Sequence, residues 1–135
     1  ATGAWVRQQV WAFIAHDWPR PLLERMLARV EAVKPPAAEP LRGAYEATAG
    51  ALQIRLGKRQ EGAARIRAAL NDRDDSSRAT LLAMLAIAAL EDGNAAGARL
   101  LLNEARSALP AQSSIWDQEV TRLLLGEVER GLGGK

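Results

Sequence analysis

A chain of 135 residues with a net charge of +2 at pH 7 is sized for a single self-supporting core and is nearly neutral. Apolar residues make up 48% and charged residues 25%, which is too apolar for a disordered chain, and the lack of cysteine excludes disulfides, thiolate metal sites and a cysteine nucleophile. The longest apolar block, Leu81 to Leu90, is far shorter than the roughly 18 residues a membrane span requires.

Alanine, leucine, arginine and glutamate dominate, while β-branched and aromatic residues are scarce, so helix is favoured throughout. An opening helix is expected from about residue 3 to 16, where Trp5, Val6, Gln9, Val10, Ala12, Phe13 and Ile14 form a stripe. Three of the four tryptophans, Trp5, Trp11 and Trp18, fall in this segment. Pro19 and Pro21 stop it and start the next helix, because proline suits a first turn and breaks an interior. Leu22, Leu23, Met26, Leu27, Val30 and Val33 then recur at spacings of three and four, up to the stiff connector that begins at Lys34-Pro35-Pro36.

A third helix is expected from about Leu41 to Leu56, with Ala44, Ala47, Gly50 and Ala51 as small residues on one face, and a fourth from Gln60 to Asn71 after the Gly57-Lys58-Arg59 turn. The polar run Asp72 to Ser77 reads as a loop, with Ser76 or Ser77 capping a fifth helix from Arg78 to Glu91. Asp92-Gly93-Asn94 turns into a sixth helix, Ala95 to Leu109, closed by Pro110. Ser113 or Ser114 caps a seventh, which carries Trp116, Leu123 and Leu124 and runs to about Arg130, leaving Gly131, Gly133 and Gly134 as a frayed tail. Seven helices and no strand make the expected class all-α, as stacked antiparallel hairpins.

Gly57 and Gly93 stand 36 residues apart, each opening the second half of a hairpin. With Leu82, Leu85 and Ala86 before Gly93, and Ala98, Leu102, Ala105 and Pro110 after it, the chain resembles the tetratricopeptide repeat family, whose unit is a helix-turn-helix of about 34 residues. The match is best over 78–110. It is looser over 41–71, where Gly50, Gly57, Ile66 and Ala69 fit, Gly62 replaces an alanine and no proline closes the unit. Trp116 lies 34 residues after Leu82 and fits the start of a further unit, but the pattern then decays, so residues 114–131 read as a capping helix. The hairpin over 1–36 has the architecture without the pattern. Together these segments form one domain over 1–135, an α-α superhelix in which the flanking helices cover the ends of the repeats.

Chemistry is poorly provided for. His16-Asp17 is the only histidine-containing pair, and adjacent helical residues diverge by about 100° rather than facing each other, so His16 reads as a residue of a helix's last turn. No glycine-rich phosphate loop occurs, and Gly57-Lys58 lacks the flanking residues of one. Neither an enzyme, a metal site nor a cofactor is therefore expected; a helical enzyme domain using His16 is the weakest reading. Arg55, Lys58, Arg59, Arg65 and Arg67 fall within 13 residues and could meet phosphate or an acidic peptide. No aromatic residue is interleaved among them and the acidic Asp72 to Asp75 follows, so nucleic acid is disfavoured as a partner.

What the resemblance implies is a concave groove lined by the first helix of each hairpin, here Ala44, Ala47, Ala51, Ile54 and Arg55 followed by Thr80, Ala83, Ile87 and Glu91. Relatives that clamp a C-terminal carboxylate use lysine, arginine and asparagine at groove positions. Alanine and threonine hold them here, so the groove is expected to take a peptide helix, or the chain's own terminal helix, by apolar contact. The leading expectation is a non-catalytic scaffold that binds a protein, or another copy of itself, through the groove or the tryptophan-bearing end. The alternative is a regulatory segment of a larger protein, such as a bacterial transcription activator with a tetratricopeptide-like sensor array, binding a small effector between helices. Ala1 in place of methionine reads as a trimmed fragment or a processed form, and the absence of cysteine leaves the compartment of a soluble chain open, with the cytoplasm slightly favoured over exposure at an envelope.

Overall fold

A computed structural model describes Ile14 and residues 19–32, 42–71, 78–109 and 115–133. Among them the chain is all-helical, with α1 Arg20–Ala32, α2 Arg42–Arg55, α3 Arg59–Asn71, α4 Arg78–Glu91, α5 Ala95–Ala108 and α6 Ile115–Gly133. These match six of the seven expected helices. The opening helix over 3–16 lies outside the described residues except for Ile14, which is helical and fully buried. So do the serines expected as caps and Pro110. None of the described helices is long and apolar enough to cross a membrane.

The chain divides into two compact units, Ala1–Asp72 and Arg73–Lys135. In the first, α2 packs against both α1 and α3. Pro19 opens α1 as expected: its carbonyl accepts from the backbone N–H groups of Leu22 and Leu23, and Pro21 occupies the first turn, where a missing N–H costs nothing. The amphipathic pattern of α1 buries Leu23 and Val30, while Arg20, Glu24, Arg25 and Arg29 face solvent. Arg20 Nη2 then donates to the carbonyl of Leu56 at 2.6 Å, satisfying one of the acceptors left open where α2 ends.

Helices α2 and α3 form an antiparallel hairpin that closes on two glycines. A Cβ placed on Gly50 would lie 2.7 Å from the Gly62 carbonyl oxygen, and one placed on Gly62 would collide with the Gly50 carbonyl oxygen. The backbones therefore touch at this crossing, closer than any side chain permits. This gives a physical reason for the glycine at 62, where the repeat pattern leads one to expect alanine.

In the second unit, α4 packs against α5 and α6. Ten consecutive residues of α4, Ala79 to Ala88, are buried. A helix apolar on every side has to be covered on every side, and the burial of Leu81, Leu82, Met84, Leu85 and Ile87 contributes roughly 1.5–3 kcal/mol each. The Thr80 and Thr121 hydroxyls hydrogen-bond at 2.6 Å within this core, and Leu90 packs against Gly131. Both pairs are 41 residues apart, so α4 and α6 run parallel and in register.

That contact revises the expected C-terminal tail. The helix continues through Gly131 to Gly133, and at Gly131 a Cβ would collide with the Leu90 side chain. The glycine serves close packing here and does not end the helix. Of the two leucines expected on α6, Leu124 is buried and Leu123 is not. Val120, Thr121, Leu124, Leu125 and Val128 are buried, whereas Leu123 is 45% exposed.

The two glycine turns are closed by the same pair of backbone bonds. In the first, the N–H of Gly57 donates to the Ile54 carbonyl at 3.1 Å and that of Lys58 to the Gln53 carbonyl at 2.8 Å. In the second, the N–H of Gly93 donates to Leu90 at 3.0 Å and that of Asn94 to Ala89 at 2.8 Å. This is the pairing of a Schellman motif, which places its glycine in the left-handed region: φ is +90° at Gly57 and +81° at Gly93. The first turn of each following helix matches too, through Gly62 to Lys58 and Ala98 to Asn94, both at 3.0 Å. Every partner is displaced by 36 residues.

Candidate functional site

The nine expected groove residues lie on the two first helices, five on α2 and four on α4. Ala47, Ala51 and Ile54 of α2 are buried, as are Ala83 and Ile87 of α4. Thr80 is only 8% exposed and is hydrogen-bonded to Thr121. Arg55 is half-buried and Glu91 exposed, while the Ala44 side chain lies outside the described residues. Six of the nine are thus packed away from solvent.

The reason is again periodicity. α2 is buried continuously from Ala47 to Leu52 and α4 from Ala79 to Ala88, so over these residues neither helix leaves an apolar face open. A concave lining needs first helices with one side left open. Alanine on every face lets neighbours approach from every direction. The small residues that suggested a groove are, in these surroundings, core residues.

The basic cluster is likewise taken apart by the fold. Arg55 Nε donates to the Ile14 carbonyl at 2.8 Å. Arg65 reaches two carboxylates at once, with Nη1 on Glu31 of α1 at 2.5 Å and Nε on Glu46 of α2 at 3.1 Å. Partial burial pulls the Arg65 guanidinium down, but hydrogen bonds and attraction from Glu31 and Glu46 outweigh it, so the group sits above its ordinary value. Of the five cations, Lys58 and Arg67 are exposed. Within the cluster, Arg65 ties α1, α2 and α3 together.

Two exposed apolar side chains were not anticipated as surface. Leu100 on α5 is 67% exposed and Leu123 on α6 is 45% exposed. The signal was present in the sequence, since each belongs to a run of three leucines, Leu100 to Leu102 and Leu123 to Leu125. Three successive helical residues sweep about 200°, so one face cannot bury all three. On α5 the core stripe is Ala98, Leu102 and Ala105, which turns Leu100 outward beside Arg99 and Asn103. Charged pairs also lie on the second-unit surface, with Arg106 paired to Glu129 and Arg78 near Glu104 at 4.0 Å.

Among the described residues, no group of three histidine, aspartate or glutamate side chains is arranged to hold a metal ion. Gln53 Oε1 is a buried acceptor with no hydrogen-bond partner. His16 and Asp17, and Trp5, Trp11 and Trp18 of the tryptophan-bearing end, lie outside the described residues. No family model, no curated protein and no solved structure matches this chain.

Proposed function

We propose that this chain is a non-catalytic helical-repeat scaffold of tetratricopeptide type, which holds a protein partner or a second copy of itself. The observation that carries the reading is the duplicated turn: the same closing pair of hydrogen bonds and the same left-handed glycine, 36 residues apart. Repetition of one supersecondary unit enlarges a continuous surface, and it does not of itself assemble reacting groups. Contact is proposed at the outward faces of α5 and α6, where, among the described residues, Leu100 and Leu123 are large apolar side chains open to solvent.

Light scattering across a concentration series tests this reading. Self-association is expected to raise the mean mass with concentration, and the double variant Leu100→Glu, Leu123→Glu is expected to hold the mass at that of one chain. A mass fixed at one chain for both proteins, together with a rise in melting temperature on adding small metabolites, would favour the effector-binding alternative and overturn the scaffold.

A further inference from the structure

We draw no further inference here: the strongest candidate, the exposed leucines Leu100 of α5 and Leu123 of α6, is an apolar surface of which nothing in the structure shows what covers it.

Discussion

At Gly62 the rules for forming a helix and for packing one oppose each other. Alanine is the better helix former by about 1 kcal/mol, yet a Cβ here collides with the Gly50 carbonyl and crowds Ile54. Forcing a methyl group into a closed crossing costs roughly 1–3 kcal/mol, so packing outweighs propensity. Gly62→Ala is therefore expected to lower the melting temperature, at about 4 °C per kcal/mol for a chain of this size. Gly126 provides the contrast. Its nearest neighbour is the flexible tip of Arg130, at 3.3 Å from where a Cβ would sit. Gly126→Ala is expected to raise the melting temperature, and the opposite signs of the two substitutions can be read in one thermal denaturation experiment. A stabilised Gly62→Ala protein would show that the α2–α3 crossing is looser than described.

At the scale of elements, the likeness of the two turns lies in backbone bonding more than in residue identity. Position 58 is lysine and its counterpart 94 is asparagine, but the backbone bonds around them are the same. The difference lies in the cap. Asn94 Oδ1 accepts from the Gly97 N–H at 2.9 Å, and a lysine side chain cannot accept. Asn94→Ala is expected to cost about 1 kcal/mol of stability. Lys58→Asn is expected to gain a comparable amount, by adding an acceptor and by removing a cation from a helix N-terminus. Denaturant midpoints of the two variants check both expectations. Helix positions were readable from the sequence because proline, glycine and apolar spacing mark them locally: Pro19 and Gly57 each sit where the chain changes element. Burial was less readable. Alanine fits a groove lining and a closed core equally well, so Ala47, Ala51 and Ala83 carried no signal of which they would be. The outward turn of Leu100 was legible in principle, from the stripe that Ala98, Leu102 and Ala105 define.

For the whole molecule, polar contacts fasten elements that apolar burial has already brought together. Arg65 joins three helices of the first unit through Glu31 and Glu46, but all three side chains are partly exposed. Such pairs contribute at most about 1 kcal/mol and weaken with salt. Arg65→Gln is expected to lower stability by no more than this at low ionic strength, and by less still in high salt, in paired denaturation curves. Because the guanidinium is raised above its ordinary value, its contribution is complete below the unfolded value and fades only in strong alkali. Arg65 itself therefore adds no pH dependence near neutrality. The turns at Gly57 and Gly93 share one backbone geometry, 36 residues apart, and nuclear magnetic resonance tests directly whether the hairpins around them are alike. The result expected is slow amide exchange at both Lys58 and Asn94, positive φ couplings at Gly57 and Gly93, and proton contacts linking Gly50 to Gly62 and Ala86 to Ala98. Fast exchange at either amide, or the absence of one of the two cross-helix contacts, would contradict it.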